Sequence, residues 1–187
     1  MGRWAPGAQG RLEEAAMELF SERGFEDTTV ADIAERAGLT KRTFFRYFTD
    51  KREVLFSGAT TLEETFVQGV MDAPAGATPL EAIAAGLDAA AVLFEQIPDR
   101  ARARQALLAA NPELQERELI KLAKLVGAGA EALRRRDVAE PAASLAAEAG
   151  MAVLRVSFER WAVDPHGQDL RKLLRESLSE LKSVAQG

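Results

Sequence analysis

The chain has no cysteine and a single histidine, His166, so neither a disulfide framework nor a thiolate metal centre is available to it. No uncharged apolar run approaches the roughly 18 residues that a membrane-spanning helix needs, and the opening MGRWAPGAQG holds no apolar h-region. We therefore expect a cytoplasmic protein without a membrane partner. Strand signals are missing as well, because no stretch sustains an alternation of period two. A catalytic constellation is equally absent: carboxylates abound, but without a nucleophile, a base histidine or a glycine-rich phosphate loop beside them. We expect neither an enzyme nor a bound cofactor. The letters Gly127-Ala128-Gly129-Ala130-Glu131-Ala132 match a dinucleotide-binding pattern, yet residues 119–126 before them have helical periodicity, and that motif works only as a strand-to-helix turn. Its small residues fit better where two helices approach closely. His166 sits in the turn Asp164-Pro165-His166-Gly167 and reads as a loop residue, so no metal site is expected.

What the chain does have is helix. Its 187 residues, 47% of them hydrophobic, are enough for a sizeable core. Leu12, Ala15, Ala16, Leu19 and Phe20 share one helical face, and Arg23-Gly24 ends that first helix, over about 9–23. Thr29 to Asp32 reads as a capping box opening a short helix that Gly38 stops, and Thr40 can cap the next. Asp50 and Glu53 predict the start of a fourth helix with Leu55, Leu62, Phe66 and Val70 in one stripe. After the break at 73–77, Thr78-Pro79-Leu80-Glu81 combines a capping box with proline at the first helical position. Further helices are expected over about 99–110, from Asn111-Pro112 to the Arg134-Arg135-Arg136 end, from Pro141, and through Leu170 to Leu181. The fold class is all-α, with about nine helices.

Charge is unevenly spread. The net charge is -5, but residues 36–52 hold Arg36, Lys41, Arg42, Arg46, Lys51 and Arg52 against Asp50 alone. A compact basic patch on an acidic body can bind phosphates locally while the remainder keeps the protein dispersed. Within that patch LTKRTFFRYF places four aromatic rings and three cations in ten positions. Ala34 stands where two helices cross, Gly38 where the turn is tight, and Ile33, Leu39 and Phe44 face inward; this spacing is that of a helix-turn-helix, whose second helix enters the major groove of DNA. Phe44 and Phe48 then anchor the helix. Thr40, Lys41, Arg42, Thr43, Arg46 and Tyr47 face the double-stranded DNA, with Lys51 extending the phosphate contacts. An ordinary amphipathic hairpin with a basic face is the plain alternative.

The stretch TTVADIAERAGLTKRTFFRYFTDKREVL resembles the N-terminal domain of the TetR family of bacterial transcriptional regulators, over about residues 9–56. The resemblance implies a three-helix DNA-binding domain, a connecting fourth helix, and a variable helical ligand domain that dimerises through its last two helices. Family phosphate contacts map to Thr29, Thr40, Tyr47 and Lys51. Two positions depart from the pattern: Phe45, where the family usually has tyrosine, loses one possible phosphate hydrogen bond, and Arg42 replaces a residue that is frequently small. The Ala-rich remainder is similar in outline to a branch with an acyl-CoA-like ligand domain, including regulators of mycofactocin clusters.

These readings divide the chain into a DNA-binding domain over 9–50 and a ligand-binding and dimerisation domain over 51–187. The expected function is a dimeric repressor released from a palindromic operator by an apolar or acyl-CoA-like effector. Phe66, Leu87, Phe94, Leu108, Leu122 and Val126 are candidate apolar walls of the effector pocket, or plain core, and the run Arg100, Arg102 and Arg104 offers a cation for an acidic ligand, with Arg104 the preferred candidate. The stripes Leu154, Phe158 and Trp161 with Leu174, Leu178 and Leu181 are the candidate dimer interface. The lack of catalytic residues weighs against a helical enzyme or carrier that merely includes a basic hairpin, and a purely architectural DNA binder would leave the additional helices unexplained.

Overall fold

A computed structural model describes residues 7–164 and 167–186; Pro165 and His166, on which the loop reading rested, lie outside the described residues. Nine α-helices occur among the described residues, and no strand: α1 (Ala8–Arg23), α2 (Val30–Arg36), α3 (Lys41–Tyr47), α4 (Ala59–Met71), α5 (Pro79–Glu95), α6 (Pro98–Ala110), α7 (Pro112–Arg134), α8 (Ala142–Val163) and α9 (Leu170–Gln186). The capping boxes at Thr29 and Thr78 form as the sequence predicts. In each, the threonine hydroxyl accepts from the backbone N–H three residues on, and Asp32 or Glu81 reaches back to the threonine N–H.

One expected boundary differs. Asp50 does cap, accepting the N–H of Arg52 at 2.8 Å and of Glu53 at 3.2 Å, but the element it opens is a single 3₁₀ turn, Glu53–Phe56. α4 begins only at Ala59. Leu55 is therefore not on the α4 stripe; the turn buries Val54, Leu55 and Phe56 together, which a regular α-helix, with side chains spread at 100° intervals, would not do.

The chain forms two compact units. One comprises the described residues through Gly58 with Ala103–Gln115, and the other comprises Ala59–Arg102 with the residues from Glu116 onward. The boundary expected at residues 50 and 51 falls inside the first unit, whose core takes in the 3₁₀ turn and, from far along the chain, Leu108 and Leu114. The chain passes between units at Gly58–Ala59, within α6 and within α7.

In the second unit the helices meet through glycines. A Cβ on Gly86 would stand 2.6 Å from Val70 Cγ2 and 2.7 Å from the Phe66 carbonyl oxygen, and one on Gly69 would stand 2.9 Å from both Ala89 Cβ and Gly86 Cα. The α4 and α5 backbones thus lie closer than any side chain would permit. Gly150 of α8 sits in the same way against Ile83 of α5, and Gly129 of α7 against the Phe66 ring. The reading of the Gly127–Ala132 stretch as a close-approach surface therefore holds at Gly129, whereas Gly127 faces open space. Around these crossings pack Phe66, Val70, Ile83, Leu87, Leu133, Leu154, Trp161, Leu170 and Leu173.

The arginine cluster that ends α7 has divided roles. Arg134 pairs with Glu131 and Glu140 on the surface. Arg136 instead donates to the carbonyls of Met71 and Ala73 from Nη1 and of Pro74 from Nη2, closing the C-terminal end of α4.

Gly86→Ala tests the α4–α5 crossing. Alanine favours a helix interior by up to about 1 kcal/mol, while forcing a methyl onto a main-chain oxygen costs about 1–3 kcal/mol, so we expect a net loss. The midpoint of urea unfolding should fall; an unchanged or raised midpoint would contradict the close approach.

Candidate nucleic-acid interface

The first unit is built to hold α3 in one orientation. Gly38, at φ +65°, takes the left-handed conformation that stops α2; its N–H donates to Glu35 O at 2.9 Å and the Leu39 N–H to Ala34 O at 2.8 Å, a Schellman closure. Two residues later the Thr40 hydroxyl accepts from the Thr43 N–H at 3.1 Å and starts α3. From there the 3.6-residue period decides which side chains enter the core. Phe44 and Phe48, four apart, are buried with rings 5.4 Å apart, joining Leu12, Leu19, Phe20, Phe25 and Ile33.

The other face of α3 is left to solvent. Lys41 and Arg42 are exposed, with no ion pair or hydrogen bond among the described residues. Arg46 donates from Nη2 to the Tyr47 hydroxyl at 3.0 Å and lies 4.9 Å from that ring's centre. Thr43 is half-buried, its hydroxyl 3.0 Å from that of Thr40. Thr29, exposed at the start of α2, keeps its hydroxyl on Asp32 Oδ2 at 2.6 Å. These hydrogen bonds hold the Asp32 carboxyl below its usual range, first that from the Thr29 side chain and then that from its N–H. Phe45 is the residue the contact set omitted. It is 57% exposed, the most exposed ring on α3, and stands about 100° round the helix from Phe44, on the flank of the buried face, where the helical period alone does not decide its exposure.

The other three cations of the basic segment are spent inside the unit. Arg36 pairs with Glu22 at 2.7 Å and Glu18 at 3.2 Å, binding α2 to α1, and the hydrogen bond from its guanidinium holds the Glu22 carboxyl below the usual range. Arg52 bonds Asp50 Oδ2 at 2.9 Å and lies 3.6 Å from Glu113. Lys51, expected at a phosphate, is engaged within the unit in this structure. Its ammonium donates to the carbonyls of Phe25 at 2.7 Å, Glu26 at 3.1 Å and Thr28 at 3.1 Å, and sits 4.3 Å from the centre of the Phe25 ring. An ammonium has three N–H bonds, and the three carbonyls match them, so Lys51 pins the loop between α1 and α2.

An α-helix with its side chains is about 10–12 Å across, comparable to the width of a DNA major groove, about 12 Å. The outward face of α3 combines one lysine, two arginine forks and two aromatic edges, the mixture that phosphate and base-edge contacts require.

The remaining candidates fall in both units. Leu108 is buried in the first unit's core, and Arg104 donates from Nε to Leu55 O at 2.7 Å while its guanidinium lies 5.0 Å from the Phe56 ring centre. Phe66 and Leu87 are buried in the second unit, with Phe94 and Val126 packed partly exposed against that core and Leu122 half-buried. An apolar groove of 340 Å³ does lie in the second unit, on α5, α8 and α9; the candidate Leu87 lines it with Leu80, Ile83, Val153, Leu174 and Leu178, and Asp88 and Arg175, 3.3 Å apart, are among its polar residues. Of the candidate dimer residues, Leu154, Trp161 and Leu174 are buried within their own chain, and Phe158, Leu178 and Leu181 pack against the same core. Leu154, Trp161 and Leu174 are thus taken up by their own chain, whereas Phe158, Leu178 and Leu181 keep a partly exposed side. The exposed apolar stripe of α8 is a different one: Leu145 (65% exposed), Ala152, Val156 (46%) and Val163 (81%), spaced 7, 4 and 7 residues apart.

Two family profiles match this chain: the tetR family of bacterial regulatory proteins over residues 12–57, and the MftR C-terminal domain over residues 77–186. The regulator TcmR of Streptomyces glaucescens is 41% identical over 73 residues, 39% of this chain and 32% of its own length. A Mycobacterium tuberculosis protein carrying the name mycofactocin biosynthesis transcriptional regulator MftR is 33% identical over 116 residues, 62% of this chain and 58% of its own length. This chain thus spans less than two thirds of either relative. Among solved structures, Thermus thermophilus FadR, a TetR family transcriptional repressor in complex with lauroyl-CoA, is 27% identical with a TM-score of 0.59, over 93% of each chain. A TetR-family regulator of Syntrophomonas wolfei, at 16% identity and a TM-score of 0.70 over 96% of this chain and 95% of that one, shares the fold. With a tetR-type segment over residues 12–57 and an MftR-type domain over most of the rest, the chain belongs to the TetR family of bacterial regulatory proteins.

Proposed function

We propose that this protein is a dimeric repressor that binds a palindromic DNA operator through α3 and leaves it when a small apolar or acyl-CoA-like molecule occupies the second unit. The observation that carries the reading is the outward face of α3. In a chain of net charge -5, Lys41 and Arg42 are unpartnered and Arg46 is engaged only by a neutral phenol, while every other cation of the segment is neutralised or satisfied within the unit. A protein gains nothing in stability from such a face, and polyanionic DNA is the partner that it suits. Arg42 reads a guanine through its planar fork, and Phe45 adds apolar contact beside it. Family membership supports the class of activity, and the lauroyl-CoA held by FadR supports an acyl effector. The apolar groove on α5, α8 and α9 offers walls of the right character for an acyl chain.

Two recognition helices must reach successive major grooves, about 34–36 Å apart, so the reading needs a twofold partner. We assign that contact to the exposed α8 stripe of Leu145, Ala152, Val156 and Val163, because a 7-4-7 spacing lines up residues along one helical seam. Val156→Glu should then give a monomer that keeps its helicity and loses operator affinity. Sedimentation velocity of wild type and variant checks this, and a variant that remains dimeric would refute the assignment.

Binding of DNA from the region flanking the protein's own gene, across a salt series, tests the function itself. Arg42→Ala should cost about 1–3 kcal/mol on the operator and flatten the preference at one base pair per half-site. Lys51→Ala should behave differently. It removes three hydrogen bonds from a charged donor to the loop, so it should lower thermal stability by about 1–3 kcal/mol and leave the salt slope of DNA binding unchanged. Equal binding to operator and scrambled DNA by the wild type would overturn the repressor reading.

A further inference from the structure

Arg102, near the start of α6, holds a half-buried guanidinium with no hydrogen-bond or ion-pair partner among the described residues. Its Nε is closed off from solvent and finds no acceptor among the described residues, and the side chain makes no ion pair. Arg171 Nε also lacks a well-aligned hydrogen bond, but Glu95 Oε2 lies 3.4 Å from it and Asp169 Oδ1 4.0 Å, so that charge is compensated. Glu95, which follows Phe94, is thereby committed to Arg171.

Arg102 does have a surface to lie on. Its guanidinium carbon is 4.8 Å from the centre of the buried Trp161 ring. Phe158 stands 5.4 Å from Trp161, and Phe94 meets Phe158 at 4.8 Å with the rings inclined at 67°. Both phenyl rings are partly exposed, and Ile97, on the connection from α5 to α6, is exposed beside them in sequence. All these residues belong to the second unit.

We propose that this cluster is a binding subsite for a small organic carboxylate, Arg102 taking the carboxylate and Phe94 and Phe158 its apolar body. Nε is closed off even to a ligand, but the two Nη groups are not closed off in this way and have no hydrogen-bond partner among the described residues, so a carboxylate can bond that edge of the guanidinium. The planar fork of guanidinium matches the two oxygens of a carboxylate, and stacking on the indole already fixes its plane, so little side-chain freedom is lost on binding. One unanswered positive charge suits a monoanion; a dianionic phosphate would leave net negative charge against three aromatic rings. The alternative is that Arg102 serves as a lid over Trp161, in which case its loss exposes the indole and weakens the fold. The proposal rests on the reading of the second unit as an effector unit, but carboxylate binding is measurable without DNA.

The chain has two tryptophans, Trp4 and Trp161, so a Trp4→Phe background leaves Trp161 as the only indole reporter. In that background phenylbutyrate and octanoate are titrated against phenylbutanol and octanol by fluorescence and calorimetry. Each acid should bind at least about tenfold more tightly than its alcohol, the scale of a hydrogen bond to a charged group. Arg102→Gln should erase that difference, Arg102→Lys should keep part of it, and the glutamine variant should melt at or above the wild-type temperature. Acids and alcohols binding alike, no acid binding up to millimolar concentration, or unchanged acid affinity in Arg102→Gln would each overturn the proposal. Operator binding measured in parallel separates it from the regulatory reading. An acid that binds through Arg102 without weakening the operator complex supports the subsite and counts against release by an effector, whereas operator release by an alcohol with no acid binding does the reverse.

Discussion

The orientation of α3 depends on the burial of one ring. Phe44 has no exposed surface, and at seven residues α3 is too short to be stable by itself, so the core contact of Phe44, extended by Phe48, holds the helix in place. Once that ring is inside, the helical period puts Arg42 and Arg46 on the opposite side and Phe45 on the flank, while Lys41 is exposed as the first residue of the helix. The Gly38 turn and the Thr40 cap set where the helix begins; they add direction to a contact whose energy comes from apolar burial. Replacing Phe44 would disturb the whole face while touching none of the groups on it.

The cations around α3 serve two purposes, and position in the packing sorts them. Arg36 and Arg52 stand opposite carboxylates of neighbouring elements, and Lys51 stands over a loop whose carbonyls turn toward it. Each therefore stabilises the unit that carries the reading face. A basic stretch of sequence with a local excess of five charges becomes a smaller outward surface centred on Lys41, Arg42 and Arg46. For the DNA-binding role proposed above, that narrowing favours specificity, because fewer free charges mean a smaller nonspecific contribution to affinity.

The second unit obtains its compactness from missing side chains. Gly69 and Gly86 bring α4 against α5, Gly150 brings α8 against α5, and Gly129 admits the Phe66 ring to α7. Such close crossings bury main chain as well as side chain and leave large apolar residues for other faces. One of those faces is the exposed α8 stripe, and another is the aromatic cluster where Arg102 lies on Trp161.

Local rules were legible from the sequence alone. Caps at Thr29, Thr40 and Thr78, the stop at Gly38 and the apolar period of each helix need only neighbours within four residues, so nine helices and a helix-turn-helix followed from the residue order. What long-range packing assigns was not legible. Leu154, Trp161 and Leu174 form a stripe suited to a partner chain or to a core, and only the arrangement of α5, α8 and α9 makes them core and leaves Leu145 and Val156 outside. Leu108 and Arg104 lie among the residues of the middle helices, yet they pack with the N-terminal elements, because α6 runs on from one compact unit into the other. Lys51 carries the same charge in either role, and three carbonyls more than twenty residues earlier in the chain decided which one it plays. Hydrophobic period states that a face is buried; against what it is buried is a property of the tertiary structure, since it depends on chain segments that no local pattern encodes.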